Sequence, residues 1–335
     1  MKLKFKKFIA LILSATLIAT FCCSCSFNKE KEELTKITVS EVAHSVFYAP
    51  QYVAIALGFF EEEGLEIDLI NGNGADKVMT SVLSGEAEIG LSGPEAAIYI
   101  YLEGKKDHAV VFSQLTKRDG SFLVGREPIE NFSFDMLKGK YVIGGRAGGV
   151  PLMTFLYVLK QNGIDPEKDL TVDSSVQFAM MAGAFTAGTG DFVNLFEPTA
   201  SSVVSEGKGY IITSIGQESG EIPYTAYYSS KSYIEKNPEI IQKFTNAVTK
   251  GQKWVETHSA EEIAEVIKDF FPDSDISLLT EVTQRHKDID AWNTNGVMTE
   301  ESFNRLQDVI ESAGELSERV EFNKIVDNSF AEKAK

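Results

Sequence analysis

Two glycine-rich turns carry the residue types best suited to holding a ligand. They are NGNGADK at residues 71–77 and GGRAGGVP at residues 144–151. Each stands between a strand-like apolar run and a helix-like one. There, free backbone N–H groups and the helix dipole favour an anion or a carbonyl-like acceptor. Neither turn supplies G-x-G-x-x-G or the closing G-K-[ST], so a nucleotide fingerprint is absent. Asn73, Gly74, Gly148 and Gly149 are the candidate contacts, with Lys77 and Arg146 as the cations inside the loops. The competing reading is that these glycines serve only tight turns. A third feature is the strand DFVNLFEP, which contains Asn194 and ends in Phe196, Glu197 and Pro198; its counterpart earlier in the chain is Ser92, Gly93, Pro94 and Glu95. Glu197 suits an acceptor for a ring amine, or a solvated acid in the first turn of a helix. Catalytic signatures are missing. His44, His108, His258 and His286 are scattered, with the last two in surface-type helices, and there is no H-E-x-x-H or G-x-S-x-G.

These groups need a scaffold, and residues 44–69 indicate which. The run KITVSEVA leads to His44 and an aromatic loop at residues 45–50; a helix over 51–63 follows, Gly64 stops it, and LEIDLI begins a second strand. Strand, crossover helix and parallel strand make the unit of a doubly wound sheet, which binds ligands beyond the carboxyl ends of its strands. Ser45, Phe47, Tyr48 and Tyr52 are therefore placed as a ligand wall. The pattern recurs: Lys36 and Lys140, Gly64 and Gly163, and Met79 and Met181 are offset by 104, 99 and 102 residues. In both halves a helix ends at a glycine (Gly85, Gly188), an acid follows three residues later (Glu88, Asp191), and a short strand comes next. This predicts two α/β lobes of one kind. Crossings are expected at residues 108–127 and 224–234, which bring in Gln114 and Tyr224. A helical tail follows, with a capping box at Ser259 and Glu262.

The amino terminus has Lys2, Lys4, Lys6 and Lys7, then an apolar run over 8–21 that is too short to span a bilayer. All three cysteines, Cys22, Cys23 and Cys25, follow directly. Ser24 before Cys25 resembles the end of a bacterial lipobox, so Cys25 is the expected lipidation site; Cys22 and Cys23 are poorer candidates. Residues 1–24 read as a signal peptide and 25–35 as an anchor and tether. Past them no cysteine remains for a disulfide, metal or nucleophile. Loss of the four lysines takes the formal charge from −17 to −21, which argues against nucleic acid or an anionic membrane surface as partner.

YAPQYVA at 48–54, GFFEEEGLEI at 58–67, FDMLKGKYV at 134–142 and the aromatic-Glu-Pro strand end resemble the solute-binding proteins of ABC importers, over most of the chain after about Lys36. The branch is the one that binds nitrate, alkanesulfonates, taurine or thiamine-pyrimidine precursors. The resemblance implies a two-lobed, periplasmic-binding-protein-like (type II) α/β fold with two crossing segments and a tail packed on the first lobe. Residues 36–122 with 226–335 would form the first lobe, and 123–225 the second. It implies a monomer without cofactor or metal, anchored by lipid outside the membrane, that delivers a small organic solute to a permease. A sensor lobe for a signalling partner is the rival binding class. Fungal thiamine-pyrimidine synthases share the superfamily, but the CCSC here lies in the export signal, which leaves little for an enzyme reading. Where that family often has Ser or Thr after the second glycine turn, Val150 and Pro151 stand here, and Phe196 replaces the usual Trp. Phe47, Tyr48, Tyr52, Phe196 and Glu197 tilt the ligand toward a nitrogen heterocycle, whereas Arg146, Lys77 and two helix N-termini favour a sulfonate.

Overall fold

A computed structural model describes residues 33–334. The leader and Cys25 lie outside the described residues. Among the described residues, ten strands form two five-stranded sheets. In chain order they are β1 (Thr35–Glu41), β2 (Leu65–Asn71), β3 (Ile89–Ser92), β4 (Ala109–Thr116), β5 (Ser121–Gly125), β6 (Tyr141–Ile143), β7 (Thr171–Asp173), β8 (Phe192–Phe196), β9 (Tyr210–Ser214) and β10 (Thr225–Ser230). The first sheet runs β2-β1-β3-β10-β4 and the second β7-β6-β8-β5-β9. Each has a parallel trio and one antiparallel strand, β10 or β5, inserted fourth. That strand comes from the chain just after it leaves the other sheet, so the two sheets interlock.

The duplicated glycine, acid and strand have the same job in both sheets. Glu88 Oε2 accepts the Thr38 N–H at 2.8 Å, and Asp191 Oδ2 accepts the Tyr141 N–H at 2.8 Å. Both acids thus tie the loop before the third parallel strand to the central one. In the second sheet adjacent residues serve opposite faces, as pleating requires. Leu123, Val142 and Phe192 join one apolar cluster, while Val124, Ile143 and Val193 join the other. The outward crossing expected at residues 108–127 holds β4 and β5, which sit in different sheets, and the connection between them is residues 117–120. Ser121 and Phe122 pair with Phe196 and Leu195 of the second sheet rather than joining the first. The return passage at 220–224 lies alongside, with the Ile222 N–H donating to the Lys117 carbonyl at 3.0 Å. Gly216 sits so close to the Asp119 backbone that a Cβ would collide with it.

The helices that position the site are α1 (Ala49–Ala56), α2 (Ala75–Ser84), α3 (Glu95–Leu102), α4 (Val150–Gln161) and α5 (Thr199–Ser205). The helix expected over 51–63 is broken. Gly58 takes φ +75°, ending α1, and a separate short helix, Phe59–Glu62, follows. The tail comprises α6 (Pro238–Thr257), α7 (Ala260–Ile267), α8 (Ile276–Asp288) and α9 (Glu300–Ser312). Ile241, Phe244, Val248 and Val255 of α6 form a fully buried stripe, each side chain worth about 1.5–3 kcal/mol. It packs on α1, where Gly251 admits the Pro50 carbonyl at a distance that leaves no room for a Cβ. The capping box at α7 forms, with the Glu262 N–H donating to Ser259 Oγ at 3.2 Å and the Ser259 N–H to Glu262 Oε2 at 2.8 Å. The tail touches both lobes, because α9 packs on α4 and the Ser312 carbonyl accepts from Lys160 Nζ.

Candidate ligand-binding site

A cavity of about 300 Å³ opens between the sheets, at the carboxyl ends of their parallel strands. The first lobe contributes Ser45, Tyr48, Asn73, Gly74, Gly93 and Glu95, and the second contributes Arg146, Gly149, Asn194, Phe196 and Glu197, with Tyr224 from the return passage. The two glycine turns face each other across it. Gly74 and Gly149 are the N-cap residues of α2 and α4, and neither helix has a side-chain cap, so first-turn amides of both face no capping side chain, although Pro151 removes one donor from α4. The aromatic wall is Tyr48, Phe178, Phe196 and Tyr224, with Phe196 ring centroids 5.8 Å from Phe178 and 6.1 Å from Tyr224.

Among the described residues, two buried polar side chains in this wall have atoms without partners: Glu95, 4% exposed, at Oε2, and Asn194, 2% exposed, at both side-chain atoms. Buried polar atoms are normally satisfied, so such a set marks where a bound molecule completes the bonding. Burial pushes the Glu95 carboxyl up to about 7, against the pull of its own helix's first amides and of Arg146. Gly93 is needed beside it, because a Cβ there would overlap the Glu95 carboxylate. The Tyr224 hydroxyl faces Asp119 without a hydrogen bond of good geometry, and burial pushes that acid up to about 6.

Glu197 is placed differently from both readings of its sequence position. It is buried, its Oε2 accepts the Ser201 N–H at 2.9 Å, and its Oε1 accepts Ser201 Oγ at 2.9 Å and the Arg285 guanidinium. Both oxygens are thus tied to Ser201 and Arg285, and its backbone carbonyl accepts from Ser45 Oγ at 2.8 Å. Arg146 is half-exposed and lies 3.7 Å from Asp76 of the opposite lobe, which offsets part of its charge.

Five of the anticipated contacts are not in the wall. Phe47 is buried behind it, against Gly120, Tyr224 and His286, and its carbonyl accepts from Trp292 Nε1 at 2.8 Å. The Tyr52 hydroxyl donates to Glu41 at 2.9 Å. Ser92 bonds Tyr228 at 2.7 Å, Gln114 Nε2 donates to the Thr116 carbonyl at 3.0 Å, and Gly148 faces a neighbouring chamber. Phe178, by contrast, went unrecognised. It sits in a three-residue 3-10 turn, Phe178–Met180, that leads straight into the short helix Met181–Thr186, and no periodic pattern gives it away. His286 is fully buried among Phe47, Phe122 and Trp292, which corrects its surface-helix reading, and burial lowers its pKa to about 3, so it is neutral.

The sequence profile of the family described as NMT1/THI5 like matches residues 46–262. The chain belongs to that family. A Bacillus subtilis (strain 168) protein named "Putative binding protein YtlA" is 45% identical over 305 residues, 91% of each chain. The formylaminopyrimidine-binding protein of Halalkalibacterium halodurans is 24% identical, over 73% of this chain and 74% of that one. Among solved structures, the alkanesulfonate-binding protein SsuA from Xanthomonas axonopodis pv. citri, bound to MOPS, superposes with a TM-score of 0.70 at 14% identity, covering 89% of this chain and 99% of that one. Likeness at that identity establishes the architecture. This NMT1/THI5-like chain has the two-lobed, periplasmic-binding-protein-like α/β fold.

Proposed function

We propose that this protein captures a small, amine-bearing nitrogen heterocycle of the aminopyrimidine kind and hands it to an ABC permease. The observation that carries this reading is the buried Glu95 carboxyl, whose Oε2 has no hydrogen-bond partner, beside Asn194 in an aromatic-walled cavity. An aminopyrimidine offers an exocyclic N–H next to a ring nitrogen. Against a carboxyl group, one oxygen accepts the amine proton and the other shares a proton with the ring nitrogen. Asn194 supplies a further donor and acceptor, and the rings of Tyr48 and Phe196 supply stacking surface. The volume, at the lower end of the range for ligand pockets, about 300–1,000 Å³, suits a single ring. A relative that binds a formylaminopyrimidine supports the same class. The uncapped helix N-termini favour a second reading, a sulfonate-like anion, but Asp76 and Glu95 stand in the same wall and Arg146 is already matched with Asp76.

Capture rather than chemistry is the proposed role. His44, the wall residue closest to a general base in type, has both ring nitrogens engaged, by Glu41 and by the Phe270 carbonyl. Export and lipidation at Cys25 complete the proposal, on the lipobox-like Ser24 and Cys25. A thermal-shift panel of aminopyrimidines, taurine and short alkanesulfonates tests it. A ligand at 100 times its dissociation constant adds about 2.7 kcal/mol, a rise of several degrees. A response to the aminopyrimidines alone is expected; a response to the sulfonates alone would replace this reading with the second one.

A further inference from the structure

We propose that Arg285 is a positioning residue for solute capture: from the tail helix α8 it fastens the second lobe's Glu197 and so holds the cleft shut without touching the ligand. Arg285 Nη1 pairs with the Glu197 carboxylate and donates to Ser201 Oγ at 2.8 Å. Its Nη2 donates to Glu281 of its own helix at 2.6 Å, and the guanidinium lies 5.7 Å from the ring centroid of Phe122. The α8 helix packs on the 3-10 turn at Val46–Tyr48, which is first-lobe wall, whereas Glu197 and Ser201 sit at the end of β8 and in α5, which are second-lobe wall. The ion pair therefore spans the cleft.

The pair differs from the other link between charged side chains across the cleft described above. The Glu197 side chain is fully buried and that of Arg285 is 22% exposed, while Arg146 and Asp76 are 46% and 65% exposed. An exposed pair contributes little and weakens with salt, whereas separating a buried pair strands a desolvated charge. Opening at this corner must also break the bond from Ser45 Oγ to the Glu197 carbonyl. The tail is thus a strap, and Arg285 is its buckle.

Because the latch is made within the protein, its test needs no ligand and is independent of the solute proposed above. Small-angle scattering of the ligand-free protein is compared for wild type, Arg285→Met, Glu197→Gln, the double variant and Arg285→Lys. Arg285→Met and Glu197→Gln should each raise the radius of gyration, the double variant should add nothing further, and Arg285→Lys should restore most of the compaction. Near-ultraviolet circular dichroism checks that each variant is folded; should Arg285→Met fail to fold, Glu197→Gln and Arg285→Lys carry the test. In the presence of whichever panel solute stabilises the wild type, Arg285→Met should speed its dissociation at least about tenfold, since truncating one member of a buried charge pair acts mainly on the off-rate. Folded Arg285→Met and Glu197→Gln proteins as compact as wild type, with unchanged dissociation, would overturn the proposal.

Discussion

His44 Nδ1 lies 2.8 Å from Glu41 Oε1, and the same ring's Nε2 lies 2.8 Å from the Phe270 carbonyl. A ring facing an acceptor on each side can donate to both only when it carries both protons. The bond to Glu41 accordingly raises the His44 pKa, with burial opposing it. Glu41 is itself buried and also accepts from Gln51 Nε2 at 3.0 Å and from the Tyr52 hydroxyl at 2.9 Å. The network sets the floor beneath the aromatic turn.

Its linkage has a definite sign. A group whose pKa is raised on folding stabilises the fold fully below its unfolded value, ~6.5 for histidine, and that contribution fades as pH rises through the folded value. Thermal melts of wild type and His44→Gln should therefore differ most at mildly acid pH and converge on the alkaline side. A gap that stays constant or widens with pH would rule out the charged ring. Because 38% of the His44 side chain is exposed, solvent screening keeps the effect small.

The paired staples should be equivalent. Glu88→Ala and Asp191→Ala each remove a charge-assisted bond to a strand amide. Both acids are half-exposed, so each change should cost about 1 kcal/mol in urea unfolding, below the value for a buried charged bond. A loss confined to one lobe's acid would contradict the shared role.

Gly93→Ala should spare the fold and damage binding. The added methyl meets only the Glu95 carboxylate, the end of a side chain, which must move. A circular dichroism melt close to wild type together with at least about tenfold weaker ligand binding, the scale of leaving a buried polar partner unpaired, is expected. Unchanged affinity would remove Glu95 from the contact set.

The pH profile of binding follows from the same carboxyl. Its pKa stands near 7, raised by burial, and the paired arrangement with a neutral aminopyrimidine needs one proton shared between acid and ring. Affinity should fall as pH rises through about 7. Glu95→Gln keeps an acceptor and a donor without titrating, and should bind with a flat profile across that range. A wild-type affinity that climbs with pH would refute the shared proton.

Much of the architecture was legible because it depends on local signals that occur twice. Gly85 and Gly188 with Glu88 and Asp191 announce the duplicated lobe, and Ser259 with Glu262 announces a helix start. The apolar stripe of α6 could be read from its spacing. What failed depends on distant partners. Glu197 looked like a ligand acceptor because nothing near it in sequence shows that Arg285, 88 residues away, pairs with the Oε1 that Ser201 also engages. Phe47 looked like wall because Gly120, the glycine whose missing side chain lets its ring sink inward, lies in another lobe's approach. The burial of His286 was readable after all. Leu279, Val282, Thr283 and His286 make one buried helical stripe, masked by Arg285, Lys287 and Asp288 beside it. Glu95 was recognised only as the counterpart of Glu197, yet it is the acid left free.

Calorimetric titration of wild type and Glu95→Leu with 4-aminopyrimidine and with taurine tests most directly the claim that Glu95 reads an amine-bearing ring. The expected result is that wild type binds the aminopyrimidine and not taurine, and that Glu95→Leu loses at least about tenfold in affinity, the scale of leaving a buried polar partner unpaired. Taurine binding by the wild type, retained or tightened in Glu95→Leu, would contradict it.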